Sequence, residues 1–198
     1  MFTGIIESLG ELVALTPEGS NHHLRIRSSL SPELRVDQSV SHNGVCLTVT
    51  EIQDDTYRVT AIDETLQKTN LGALQPGNPI NLERCMPANG RFDGHIVQGH
   101  VDQTGTCQEV KEQDGSWLYT FTFEPTDRAY LVVEKGSITI NGVSLTCFNV
   151  HDKGFTVAII PYTYEHTNFH RLRPGDLVNL EFDVLGKYIQ RILHRQRT

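Results

Sequence analysis

Five side chains offer proton-transfer or nucleophilic chemistry: Cys46, His100, Lys135, Ser144 and Asp183. A thiol, an imidazole, an amine, a hydroxyl and a carboxylate are the usual parts of acid–base and covalent catalysis. Each also has a plainer duty. Cys46 lies in the apolar run Gly44-Val-Cys-Leu-Thr-Val49, where a cysteine is by default a small buried hydrophobe. Ser144, in the matching run Gly142-Val-Ser-Leu-Thr-Cys147, reads as a strand serine bonded to backbone. Lys135 beside Gly136 suits a solvated turn, and Asp183 suits the cap of a final helix. His95 and His100 fall in Gly94-His-Ile-Val-Gln-Gly-His100, a spacing that is not that of a helical metal pair.

Several function classes are disfavoured. No Walker loop, Rossmann glycine fingerprint, HExxH or GxSxG element is present. Cys46, Cys85, Cys107 and Cys147 form no CxxC pair, which argues against a zinc site. A net charge of −7 and a pI near 5.7 argue against nucleic-acid binding. The one basic cluster, Lys187 to Arg197, suits the C-terminal end of a helix dipole. The opening Met-Phe-Thr-Gly-Ile-Ile-Glu lacks a signal-peptide pattern, and no stretch approaches a membrane span. A cytoplasmic location with reduced thiols is expected.

What must position these groups is a duplicated fold. Ser39-Val-Ser-His-Asn-Gly-Val-Cys-Leu-Thr-Val49 returns as Ser137-Ile-Thr-Ile-Asn-Gly-Val-Ser-Leu-Thr-Cys147, a step of 137 − 39 = 98 residues. About 18 of the 45 positions from Ser39 to Glu83 match their partners, among them Thr65, Thr69-Asn70, Pro76-Gly77 and Asn81-Leu-Glu83. Carried back to the N-terminus, the same step lays Met1–Gly4 on Gly99–Asp102, with a first strand starting at once. Stretches such as His23–Arg27, Tyr57–Ile62, Leu118–Phe123 and Phe155–Ile160 alternate with a period of two. Turn signals at Asn43-Gly44, Pro76-Gly77, Asp114-Gly115, Asn141-Gly142 and Pro174-Gly175 separate them.

The pattern predicts an all-β chain of two tandem six-stranded antiparallel Greek-key barrels, residues 1–97 and 98–183. Short helices are expected near Glu64-Thr65 and Tyr162-Thr163, with a threonine capping each. In 184–198, Leu185, Tyr188, Ile189, Ile192 and Leu193 recur at helical spacing. That helix packs on its own barrel or mediates oligomerisation.

Taken together, these residues resemble the α-type riboflavin synthase family. The resemblance rests on Met1–Glu7, Asn43–Val49, Glu64-Thr65, Thr69–Gly72, Gly94-His95, Gly99–Val101, Lys135–Ser137, Gly142–Thr146, Ile160–Thr163 and Val178–Glu181. It implies a cofactor-free transferase of riboflavin biosynthesis, in which two molecules of 6,7-dimethyl-8-ribityllumazine dismutate. One gives a four-carbon unit to the other, yielding riboflavin and 5-amino-6-(D-ribitylamino)uracil. It further implies a homotrimer whose working site pairs the first barrel of one subunit with the second of a neighbour. Whether the chain associates with lumazine synthase stays open.

The resemblance assigns Cys46, Ser39 and Phe2 to the first-barrel side, and Ser144, Thr146, Lys135, Asp183 and His100 to the second. Of these, Cys46, Ser144, His100, Ser39, Lys135 and Asp183 are the catalytic candidates. Substrate contacts are expected from Phe2, Gly4, Ile5, Ile6, Cys46, Leu47, Thr48, Thr60, Ala61, Ile62, Asp63, Glu64 and Thr65. They are expected equally from Gly99, His100, Val101, Lys135, Ser144, Leu145, Thr146, Ile160, Pro161, Tyr162, Thr163, Tyr164 and Glu165. Cys147 and Tyr162 depart from the family's common residues, and Tyr162 bears on how a ribityl chain is held. The rival reading is a lumazine- or flavin-binding antenna protein without chemistry. A flavin-reductase-like reading fails, because no room remains for a dinucleotide domain after Glu181.

Overall fold

A computed structural model of the chain describes residues 1–126 and 131–196. Arg197, the end of the basic cluster, and Thr198, the end of the helical stretch, lie outside the described residues. The first barrel contains β1 (Ser8–Glu18), β2 (Asn21–Arg27), β3 (Ser39–His42), β4 (Val45–Gln53), β5 (Thr56–Ala61) and β6 (Pro79–Arg84). The second contains β7 (Gln103–Gln113), β8 (Ser116–Thr122), β9 (Ser137–Ile140), β10 (Val143–His151), β11 (Gly154–Ile159) and β12 (Leu177–Phe182). Each closes antiparallel, in the order β1-β2-β5-β4-β3-β6 and its equivalent β7-β8-β11-β10-β9-β12. Closure leaves no long sheet edge to template aggregation.

The repeat has two steps, not one. From Ser39 onward the twins are 98 residues apart, but β1 and β2 match β7 and β8 at 103 − 8 = 95. The bulge after Leu12 recurs after Cys107, again 95 on. The link from β8 to β9 is three residues longer than that from β2 to β3, which absorbs the difference. Gly4 is therefore the twin of Gly99, and Ile5 that of His100. The first strand also begins later than the repeat suggested, at Ser8. Phe2 makes only an isolated bridge to Val97.

Each core is built by alternation. In β4, Val45, Leu47 and Val49 are buried while Thr48 and Thr50 face out. The first core uses aliphatics such as Leu24, Ile26 and Leu71, where the second has Tyr119, Phe121 and Phe169. Phe169 meets Tyr119 edge-on at 5.1 Å. One buried polar pair has no counterpart: His42 Nε2 lies 2.8 Å from Tyr57 Oη, where the second barrel has Ile140 and Phe155.

The barrels are tied by buried asparagines around a pseudo-twofold axis. Asn70 N donates to Asn179 Oδ1 at 2.6 Å, and Asn168 N donates to Asn81 Oδ1 at 2.7 Å. Asn81 Nδ2 reaches the Asn141 carbonyl at 2.9 Å, and Asn179 Nδ2 reaches that of Asn43 at 2.8 Å. The hairpin turns Asn43-Gly44 and Asn141-Gly142 abut here. A Cβ on Gly44 would stand 2.9 Å from Gly142 N, and both glycines have positive φ. Turn geometry and close approach thus both require glycine.

The predicted short helices are α1 (Asp63–Lys68) and α2 (Pro161–His166). Their threonines act differently from the expectation. Neither helix has a side-chain N-cap; Thr69 and Thr167 instead cap the 3-10 turns that follow, Asn70–Ala73 and Asn168–Arg171, accepting Leu71 N and Phe169 N. Their hydroxyls donate back to the Thr65 and Thr163 carbonyls at 2.7 Å. The final helix, α3 (Val184–Arg195), is capped by Asp183 Oδ1, which accepts Leu185 N at 2.9 Å. No residue of α3 is buried, so its apolar face does not pack on its own barrel.

Candidate active site

The segments before β1 and β7 cross between barrels. The Gly4 carbonyl accepts Ser144 N of the second barrel at 2.8 Å, and the Gly99 carbonyl accepts Cys46 N of the first at 2.9 Å. Ile6 packs on the second core and Val101 on the first. Two buried carboxylates hold these crossings. Glu83 accepts Thr3 N, Thr3 Oγ1 and Gly4 N at 2.7, 2.8 and 3.0 Å. Glu181 accepts Gln98 N, Gly99 N and His100 N at 2.6, 2.9 and 3.0 Å. Burial pushes both carboxyls above their ordinary pKa, and the amide donors pull the other way.

Each crossing brings candidate residues of the two repeats together, in two neighbourhoods termed cups. In cup one, Cys46 and Thr48 lie off the core face of β4, and the Gly99 carbonyl docks on Cys46 N. Thr60, Ile62 and Asp63–Thr65 follow at the end of β5 and the start of α1, whereas Ala61 is buried in the core. The Phe2 ring lies under Gly99 and beside Cys46, where a Cβ on Gly99 would meet both. Cys46 is half-buried and faces away from the core, because Val45 and Leu47 occupy the inward register. This corrects the reading of Cys46 as a core hydrophobe. Burial raises its thiol pKa, against the pull of the hydrogen-bonded Ser39 hydroxyl. Ser39 also lines an open cavity of about 670 Å³ with Thr3, Ile5, Glu83 and Cys85. Thr60 Oγ1 is tied to His23 Nδ1 at 2.9 Å. Leu47 serves the core instead of the surface.

In cup two the Gly4 carbonyl docks on Ser144 N, beside Leu145 and Thr146 of β10, and Ile160 and Pro161–Glu165 form the corresponding start of α2. His95 Nδ1 lies 2.6 Å from Ser144 Oγ, and its Nε2 lies 3.2 Å from Thr139 Oγ1. Burial lowers the His95 pKa while the Asp183 charge raises it, so the ring is neutral near pH 7. Lys135 is exposed, with Nζ 5.5 Å from the centre of the Phe148 ring. Trp117 stacks on Tyr164 at 3.8 Å, pinning α2 where the first barrel has His22 and Leu66. The twins Ile62 and Ile160 are 53% and 59% exposed, an apolar surface at each rim suited to a flat ring.

One placement differs from the sequence reading. His100 hangs from Glu181 of the second barrel, but the adjoining Gly99 carbonyl docks on Cys46, so its segment belongs to cup one. Gly4–Ile6 likewise serves the second barrel. Three residues were missed as site members: His95, Glu83 and Glu181. The glutamates carried a signal, since both repeats end in Asn-Leu-Glu. His95 was weighed only as a metal ligand, and among the described residues no cluster suits a metal ion.

Comparison with known proteins agrees with this geometry. The lumazine binding domain model matches residues 3–85 and 98–183, whose starts are 95 apart and whose ends are 98 apart. The riboflavin synthase of Actinobacillus pleuropneumoniae is 42% identical, covering 98% of this chain and 90% of its own. That of Bacillus subtilis (strain 168) is 40% identical, covering 98% and 91%. The chain belongs to the riboflavin synthase family. Within the same fold, LumP complexed with riboflavin superposes with a TM-score of 0.84 at 24% identity, covering 92% of this chain and 100% of that one. At that identity the likeness concerns the fold alone. This riboflavin synthase relative is thus an enzyme-family member with two lumazine-binding domains, and no described helix is long and apolar enough to cross a membrane.

Proposed function

We propose that the protein is a riboflavin synthase, a transferase acting on two molecules of 6,7-dimethyl-8-ribityllumazine. One lumazine gives up a four-carbon unit and leaves as 5-amino-6-(D-ribitylamino)uracil; the other gains it and leaves as riboflavin. The observation that supports this reading is the pair of matching crossings, Gly99 on Cys46 and Gly4 on Ser144, with unlike polar groups beside them. A dismutation needs two pockets of one shape and two chemistries, and Cys46 with Ser39 against Ser144 with His95 supplies both.

The reaction opens with loss of a proton from the methyl at carbon 7, whose charge spreads over the pteridine ring. Holding both rings in register supplies much of the acceleration, about 7 kcal/mol or more by removing translational freedom. In cup two, neutral His95 accepts a proton through Ser144, and Asp183 stabilises the imidazolium that results. In cup one, the un-ionised Cys46 thiol acts as hydrogen-bond partner or proton relay, not as a thiolate nucleophile. Lys135 and Tyr162 contact the ribityl chain or ring at the cup-two rim.

The apolar face of α3 supports a trimer. Its exposed Leu185, Tyr188, Ile189, Ile192 and Leu193 form an apolar stripe that a second and third copy would cover. The site then pairs cup one of one subunit with cup two of its neighbour in a cytoplasmic enzyme. Incubation with the lumazine tests the reading. Growing riboflavin fluorescence supports it; binding that only shifts the existing emission would make the protein an antenna.

A further inference from the structure

A second cavity, of about 370 Å³, lies on the pseudo-twofold axis, and no cup residue lines it. Its walls are largely twins: Asn43 and Asn141, Leu74 and Leu172, with Arg171 and Asp176 breaking the symmetry. Asn43 and Asn141 are each 1% exposed. Backbone donors fix their orientation. Asn43 Oδ1 accepts Asn81 N at 2.9 Å and Asn168 Nδ2 at 3.1 Å. Asn141 Oδ1 accepts Asn179 N at 2.8 Å and Asn70 Nδ2 at 3.0 Å. What remains of each carboxamide is Nδ2, and neither nitrogen has a partner among the described residues. They are not sealed in protein either, since the enclosed orphan atoms are His22 Nδ1, Ser31 Oγ and His42 Nδ1.

The open valences of these two carboxamides are therefore donors, while Asp176 keeps Oδ1 as an open acceptor on the same wall. The main-chain carbonyls of Asn43 and Asn141 are already taken by Asn179 and Asn81. Arg171 stands where the first barrel has Ala73. Its Nε meets His170 Nε2 at 3.3 Å, and its two terminal amino groups have no partner among the described residues. Asp176 is the one opposing charge, and its Oδ2 is engaged by Arg173 N at 2.7 Å. Two buried donors and a guanidinium with a free fork suit an acceptor that carries negative charge. Leu74 and Leu172 suit an apolar body.

We propose that the dyad cavity binds a small organic oxyanion, its phosphate or carboxylate head on Arg171 and the two carboxamides, its body between the leucines. This goes beyond the synthase reading and stands independently of it.

The test titrates phenyl phosphate, and separately benzoate, into the ¹⁵N-labelled protein while following the side-chain amide resonances of Asn43 and Asn141. A saturable shift of both with either probe is expected, and which probe binds identifies the head group. Arg171→Ala, a surface change, should weaken binding about tenfold or more, and Ala73→Arg, which copies the cation across the axis, should tighten it. Riboflavin formation should be unchanged in both variants. Resonances that stay put with both probes would mean the cavity holds only water, and a shift untouched by Arg171→Ala would place the anion elsewhere. Either result overturns the proposal.

Discussion

His95 Nδ1 and Ser144 Oγ stand 2.6 Å apart in the second cup, and the first cup has no such pair. Cys46, the twin of Ser144, is hydrogen-bonded to Ser39 instead, so the two cups differ at this point. Replacing His95 by Ala should lower kcat by about 10²-fold with a smaller effect on KM, the range for loss of a proton-transfer group. Ser144→Ala should cost a similar factor, and the double variant no more than the larger single. Because burial holds His95 below the ordinary histidine pKa, wild-type kcat should persist below pH 6.5 before falling. Steady-state kinetics across pH, following riboflavin fluorescence, check all of this; unchanged kcat in His95→Ala removes the residue from the proton path.

Cys46 is expected to act as a thiol. Its pKa is raised, so at neutral pH the thiolate fraction is smaller than in a free cysteine. Cys46→Ser, which preserves a polar hydrogen and copies the twin residue, should stay within about tenfold of wild-type turnover. Cys46→Ala should fall further, since the partner of Ser39 is lost. Alkylation by iodoacetamide at pH 7 should be slow and should accelerate above pH 9. Rapid alkylation at pH 7 would contradict the un-ionised thiol.

The two carboxylate clasps should act crosswise. Glu181 belongs to the second barrel yet sets the segment whose Gly99 carbonyl docks on Cys46, so Glu181→Gln should weaken lumazine binding in cup one. Glu83→Gln should weaken it in cup two. Each variant turns an acceptor oxygen into an amide that faces backbone donors, at a cost of about 2 kcal/mol in folding stability. Lumazine titrations resolving two sites, with urea melts alongside, measure both effects. Glu181→Gln lowering affinity at cup two and sparing cup one would overturn the crossing.

Much of this arrangement was legible in the chain, and the illegible part has a definite cause. Asn43-Gly44 and Asn141-Gly142 announced hairpins, since few other residue pairs take two successive positive φ values. Alternation at Val45, Leu47 and Val49 announced a core face and, read strictly, already put Cys46 outside it. The crossing of Gly4 and Gly99 was hidden because the repeat was extended at one step through a region where three residues had been gained. That shift laid Met1–Gly4 on the wrong partner. His95 escaped notice because its role depends on a segment reaching Ser144, 49 residues away, which no local pattern encodes.

His42 supplies a pH dependence that the second barrel lacks. Complete burial lowers its pKa from 6.5 to about 4. The neutral ring is favoured in the folded state, so its contribution is fully present above pH 6.5. It is lost as pH falls from 6.5 toward 4, because the unfolded chain takes up the proton first. The loss across that window is about 3 kcal/mol. His42→Ile with Tyr57→Phe copies the twin pair Ile140 and Phe155 and should flatten the fall in urea stability between pH 6.5 and 4 relative to wild type. Equal slopes in the two proteins would show that His42 titrates normally.

The final helix should be where subunits meet. Tyr188 is 66% exposed and Ile189 and Ile192 are each 57% exposed, an apolar stripe that a lone chain would leave in water. Its base is held from the other side: Lys187 Nζ pairs with Asp102 at 2.6 Å, and Asp102 also accepts Phe182 N at 2.9 Å. The helix is thus anchored to the barrel through its cap and one half-buried ion pair while its hydrophobic face points away. Ile189→Glu with Ile192→Glu should leave each barrel folded, because neither residue touches a core. The variant should sediment as a monomer where the parent sediments as a trimer. Its lumazine binding should survive while riboflavin formation falls by at least about 10²-fold, since a site shared between subunits loses the orientation that drives the reaction. A monomeric variant with full turnover would place both lumazines within one chain and end the shared-site reading.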